Sequence, residues 1–255
     1  MNSILQAIDP STLWAMISSG WSEMGYGEFW LALAKIMWIN ILLSGDNAVV
    51  IAMACRGLPH RQRIWGMTLG AGVAVVLRIV FTGLVASLML LPYLKIVGGL
   101  ALFYIAAKLL LPEKPDRSES EAVEHLWRAV GIVAVADIVM SLDNVIAIAA
   151  AAGGNMALLV LGLAISIPLV VAGAAAISAL LDRYPVLIWA GAALLGWIVG
   201  EVVATDPAVT IFLEEQYGAA TAHRAAYVSA IVGTVLVLIV GRLWRRWRRP
   251  DASEV

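Results

Sequence analysis

The sequence predicts an all-α polytopic membrane protein of seven transmembrane helices, arranged as an inverted 3+3 repeat plus one extra helix. Three observations predict it. Of 255 residues, 62% are hydrophobic and 14% charged, against the roughly 25% charged residues of a soluble domain; mean hydropathy is +0.89. Seven apolar runs are long enough to cross a bilayer. A nine-residue signature in the first run recurs 97 residues later, in the fourth. Seven spans of about 22 residues occupy roughly 154 positions, so no separate soluble domain is expected in the remainder. Three His, one Cys and a net charge of −1 exclude a disulfide framework, a Cys/His zinc site and a basic nucleic-acid surface. No resident cofactor is expected, and the function is expected inside the membrane.

Residues 1–28 read as an interfacial N-terminal segment. No Lys or Arg precedes Lys35, so no basic n-region marks a signal peptide. Instead Ile4, Leu5, Ile8, Leu13, Trp14, Met16 and Ile17 are interspersed with polar residues and broken at Pro10. The apolar runs follow at 31–55, 64–91, 93–111, 129–152, 156–181, 185–204 and 225–241. They are read as helices because lone strands cannot satisfy their backbone in lipid, and no run alternates polar and apolar positions. The first three-helix repeat spans 29–111 and the second 126–205. Between them, 112–125 is rich in Pro, Ser, Glu and Asp and reads as a flexible cytoplasmic linker. Residues 206–255 hold an outer loop, the seventh helix and a basic C-terminal tail.

Orientation follows from the Lys and Arg near the span ends. With the N-terminus outside, 13 basic residues face the cytoplasm and only Lys35, Lys95 and Arg224 face out. The expected topology is therefore N-out and C-in, in a bacterial inner membrane. Trp127, Trp244 and Trp247 fall at the inner aromatic belt, and Trp14, Trp21 and Trp30 near the outer one.

The signature carries the chemistry. Ser44-Gly45-Asp46-Asn47-Ala48-Val49-Val50-Ile51-Ala52 returns as Ser141-Leu142-Asp143-Asn144-Val145-Ile146-Ala147-Ile148-Ala149. Each copy is followed by two further runs, and three spans per unit is odd, so the second unit enters the membrane from the opposite side. Both copies fall near the bilayer centre, where a carboxylate costs a few kcal/mol and marks function by default. Asp46, Asp137 and Asp143 all lie there. Helical spacing places Asn40, Ser44 and Asn47 on one stripe and Asp137, Ser141 and Asn144 on another. Asp46 and Asp143 fall roughly 120° away, so either each faces a different neighbour or the helix unwinds locally. Gly45 permits unwinding in the first copy; Leu142 offers no such help in the second.

Carboxylate, amide and hydroxyl oxygens suit hard cations such as Mn²⁺, Ca²⁺ or Mg²⁺. Arg78 lies mid-span in the second run and needs a carboxylate or carbonyl partner. It reads either as a charge-balancing counter-ion that occupies the Asp cluster when no metal is bound, or as a permanent structural ion pair. Other singled-out residues have simpler readings. Cys55 is a small packing residue, and Gly98, Gly99, Gly191, Gly196 and Gly200 serve helix packing. Pro168, after Ser166, kinks its helix. Glu201 and Asp206 read as solvated charges, with an outward metal vestibule as their alternative use.

At these residues the sequence resembles the TerC family of integral membrane proteins, whose halves carry Asn-x-x-x-Ser-Gly-Asp-Asn and Asp-x-x-x-Ser-x-Asp-Asn. The matching residues are Asn40, Ser44, Gly45, Asp46 and Asn47, and Asp137, Ser141, Asp143 and Asn144. The resemblance covers about residues 29–245 and implies export of divalent metal, chiefly Mn²⁺. The family's association with tellurite resistance does not imply that tellurite is the cargo.

The leading expectation is therefore a non-enzymatic secondary transporter exporting Mn²⁺. Asp46 and Asp143 would be charged ligands, Asn47 and Asn144 neutral ligands, and Ser44, Ser141, Asn40 and Asp137 lining groups. No Gly-x-x-x-x-Gly-Lys run is present, so an ion gradient or the membrane potential would drive export, with proton antiport as the natural choice. An intramembrane aspartyl protease, its two midplane Asp sharing a proton, is the alternative enzyme reading. It gives the Asn after each Asp no role. A non-transporting membrane scaffold associated with tellurite resistance leaves the cost of three buried carboxylates unexplained. The expected partners are the metal ion and the lipid bilayer, without nucleic acid; the oligomeric state stays open, a homodimer being one arrangement.

Overall fold

The structure is a computed structural model, and it describes residues 26–88, 91–111, 119–152 and 155–247. All regular structure among the described residues is helical: α1 (Tyr26–Leu43), α2 (Gly45–Ala54), α3 (His60–Leu88), α4 (Leu94–Leu109), α5 (Glu119–Ala152), α6 (Met156–Arg183), α7 (Leu187–Ala204), α8 (Pro207–Tyr217) and α9 (Ala219–Trp247). Four segments are long and apolar enough to cross a membrane: His60–Thr82, Leu158–Arg183, Leu187–Ala204 and Arg224–Trp247. The bent pair α1–α2 makes a fifth. Of the seven expected spans, α4 has 16 residues, short of the roughly 20 that a span needs. The helix α5, with 34, begins in charged sequence. The expected N-terminal segment up to residue 25 lies outside the described residues.

The first span is two helices rather than one. At Ser44 the backbone leaves helical geometry (φ −109°, ψ 5°), its N–H donating to the Ile41 carbonyl at 3.3 Å before Ala48 N–H resumes the ladder on Ser44 at 3.0 Å. The two halves meet at 54°. Gly45 lowers helix propensity at this point. In the second copy Leu142 replaces it, and α5 passes through the signature unbroken.

Packing is mostly between the two halves of the chain. The broken pair α1–α2 packs on α6, α3 packs on α5, and α4 packs on α7. Two apolar clusters result, one centred on α2, α4, α5 and α7, the other joining α1, α3, α5 and α6. The polar residues described below lie among these same helices. At the ends of α3 and α6, Arg63 Nη1 donates to Asp182 Oδ2 at 2.5 Å and Nη2 to the Arg56 carbonyl at 2.8 Å.

The seventh expected helix, α9, lies tightly on α7. A Cβ at Gly200 would overlap the Ser229 carbonyl, and one at Gly233 the Gly196 carbonyl, so glycine is required for this approach. The opposite face of α9 exposes Tyr227, Ile231, Val235 and Ile239, the surface lipid would cover. Gly191 and Gly99 likewise sit against Met53 and Val203, and Cys55 is fully buried packing. The helix α6 continues through Pro168 without interruption.

Three expectations need correction. Residues 119–125, expected in the linker, already belong to α5. The outer loop contains a helix, α8, signalled by Asp206 as N-cap and Pro207 in the first turn. Asp206 itself is fully buried rather than solvated. Its carboxylate accepts from Ala208 N–H at the start of α8 and from Tyr93, Lys95 and Ile96 N–H at the start of α4, at 2.9 to 3.4 Å. It thus caps two helices and holds Tyr93 at φ 67°, a left-handed conformation costly for a side chain with a Cβ. Glu201 is exposed, as expected.

Candidate functional site

Arg78 projects from α3 into the junction of the two signatures, 3% exposed. A guanidinium has five donors and no acceptor, so it is stable in such a place only if oxygens surround it. Two come from α1 and the residue that follows it: Nη1 donates to Asn40 Oδ1 at 2.6 Å and to Ser44 Oγ at 3.4 Å. The others come from α5. Nη2 donates to Asp137 Oδ1 at 2.7 Å and Ser141 Oγ at 2.9 Å, and Nε reaches Ser141 Oγ at 3.2 Å. Asn40 and Ser44 stand at the same signature positions as Asp137 and Ser141. The i, i+4 stripes read from helical spacing therefore meet, and a single cation bridges them.

Asn40, Ser44, Asn47, Arg78, Asp137 and Ser166 line one cleft with apolar walls from Val50, Ile51 and Val75. Two buried atoms in this lining, Asn47 Nδ2 and Asp137 Oδ2, have no hydrogen-bond partner among the described residues. Such atoms are costly to leave unpaired and mark where further polar contacts would form.

The remaining site candidates lie differently. Asp46 is half-buried, stands outside the cleft lining, and accepts the Asn47 N–H on Oδ1 at 2.8 Å. Asn144 Nδ2 donates to the Leu43 carbonyl at 3.2 Å. In an unbroken helix that carbonyl would accept from Asn47 N–H, so Asp46 and Asn144 satisfy the two backbone groups that the break separates. The side chain of Asp143 lies outside the described residues. Among the described residues no three His, Cys, Asp or Glu side chains gather as a metal cage; the cleft offers one carboxylate and several neutral oxygens.

Ser166, on α6, was not among the residues singled out for the site. It is fully buried, accepts from Asn40 Nδ2 and donates to the Leu163 carbonyl at 2.7 Å. Its signal in the sequence is a hydroxyl inside an apolar span, two positions before Pro168.

Residues 26–250 match the profile of the integral membrane protein TerC family. The chain is 40% identical over 188 residues to the uncharacterized membrane protein YjbE of Bacillus subtilis, covering 74% of this chain and 86% of that protein. It is 25% identical over 220 residues to YceF of the same organism, covering 83% and 81%. A UPF0053 protein of Haemophilus influenzae is 28% identical over 179 residues, covering 63% of this chain and 75% of that protein. No solved structure matches the chain.

Proposed function

Because the chain belongs to the TerC family of integral membrane proteins, we propose that it is a secondary transporter that exports divalent metal, chiefly Mn²⁺, and not an enzyme. One observation carries the reading: a buried cation, Arg78, is held between repeat-equivalent oxygens of the two signatures. A position that stabilises a guanidinium by hard oxygen acceptors suits a hard divalent ion, and placement between the halves is where transporters of inverted repeats bind cargo.

The proposed architecture is seven spans, three per repeat plus α9. Its support is the contact pattern: the first helix of each half packs on the second helix of the other, and the two third helices pack together. The positive-inside count supports N-out and C-in in a bacterial inner membrane.

In the proposed cycle Arg78 neutralises Asp137 while the site is empty, and the arriving ion displaces the guanidinium. Asp137 Oδ2, unpartnered among the described residues, and the amide oxygen of Asn47 then become ligands of the ion, with Ser44, Ser141 and Asn40 lining the site. Asp46 and Asp143 supply the remaining negative charge, and Asn144 contributes its amide oxygen. Ligating carboxylates must be deprotonated, so metal release and proton uptake are linked, which makes proton antiport the proposed coupling.

The test is flux in proteoliposomes with Mn²⁺, Ca²⁺, Mg²⁺, Zn²⁺ and Fe²⁺ in turn. Protein-dependent movement led by Mn²⁺ is expected. Movement of none of the five would overturn the reading.

A further inference from the structure

We propose that Ser166 is a positioning residue for this cation site, fixing the Asn40 amide so that its oxygen faces the centre between the repeats. Its consequence rests on the transport reading, and its geometry on the hydrogen bonds that Asn40 and Ser166 make.

An amide has a donor end and an acceptor end, and only the acceptor end can face a cation. Arg78 Nη1 donates to Asn40 Oδ1, so the present orientation is the productive one. Of the other two neighbours, Ser44 cannot fix it, since its hydroxyl can turn to serve either end as donor or acceptor. Ser166 can. It has a single proton, which goes to the Leu163 carbonyl, leaving lone pairs that accept from Asn40 Nδ2. When an incoming ion displaces the guanidinium, Ser166 is the remaining group that holds the oxygen inward.

The other repeat shows why only one such serine is needed. Asp137, at the position equivalent to Asn40, presents oxygen whichever way its carboxylate turns. From α3 the cleft is lined by Ala71, Ala74, Val75 and Arg78, none of which carries a hydroxyl. Among the described residues, the second helix of the other half thus brings a hydroxyl to the amide, while α3 brings none to the cleft.

The experiment is a cycle of four proteins: wild type, Ser166→Ala, Asn40→Asp and the double variant, with Ser166→Thr as the conservative control. In proteoliposomes Ser166→Ala should raise the half-saturating Mn²⁺ concentration about ten-fold, the upper end of what one neutral hydrogen bond contributes. The maximal rate should stay within a factor of about two, and Ser166→Thr should restore the affinity. In the Asn40→Asp background the same removal should change affinity less than about two-fold, because a carboxylate needs no orienting partner. An unchanged affinity in Ser166→Ala, or an equal loss in both backgrounds, overturns the proposal. Thermal unfolding of the four purified proteins gives a second reading that needs no transport. A loss of melting temperature on removing the hydroxyl that vanishes in the Asn40→Asp background supports orientation of the amide, and an equal loss in both overturns it. If wild type moves no Mn²⁺, the transport reading fails while the unfolding cycle still decides the role of Ser166.

Discussion

Arg78 and Asp137 form an ion pair at 2.7 Å with side chains only 4% and 3% exposed. Removing one partner from such a pair leaves a buried charge, so Arg78→Ala and Asp137→Ala should each destabilise the protein by about 3–5 kcal/mol. Arg78→Met combined with Asp137→Leu should cost less than either, since no charge is left unpaired. Arg78→Lys should not substitute, because one ammonium cannot reproduce a fork that reaches both signatures. Thermal unfolding in detergent measures all four.

Asn47 and Asn144 are equivalent in sequence but not in structure, and their alanine variants should differ. Asn144→Ala leaves the Leu43 carbonyl at the helix break without its donor and should cost about 1–3 kcal/mol. Asn47 Nδ2 has no partner to lose among the described residues, so Asn47→Ala should be near neutral for stability while impairing Mn²⁺ flux. Unfolding and flux measured on both proteins separate the two roles.

Asp46→Asn keeps an oxygen for the Asn47 N–H and removes only the charge that offsets metal dehydration. It should abolish Mn²⁺ transport in a folded, inserted protein, and Asp143→Asn should do the same. Growth in high Mn²⁺ of cells lacking other exporters is the measurement; protection by both variants would remove these carboxylates from the site.

The topology predicts that a reporter fused after Arg249 is cytoplasmic and that a tag near Asn155 is reached from outside. A C-terminal reporter found outside would dismiss the seven-span count and the inverted repeat together.

Coupling is tested at clamped membrane potential. An imposed pH gradient alone should drive Mn²⁺ movement, because a protonated carboxylate must lose its proton before it ligates. Flux that follows only the metal gradient or the voltage would exclude antiport and leave the metal site standing.

The sequence alone determined the membrane class, the all-helical character, the doubled signature and the stripes Asn40–Ser44 and Asp137–Ser141. These are local or periodic properties: hydropathy sets which segments enter lipid, and 3.6 residues per turn sets which side chains share a face. It also marked Gly45 as the point where the first copy could open and Leu142 as the point where the second could not. Tertiary structure alone decided that Arg78 joins the two stripes, that Asn144 serves a carbonyl 101 residues away, and that Ser166 accepts from the Asn40 amide. It also turned Asp206 from a solvated charge into a buried double cap. Each of these is a pairing across the chain, and a hydrogen bond between distant residues leaves no period or spacing in either one's neighbourhood. A buried polar residue announces in sequence that it needs a partner; only the packing of the helices chooses which one.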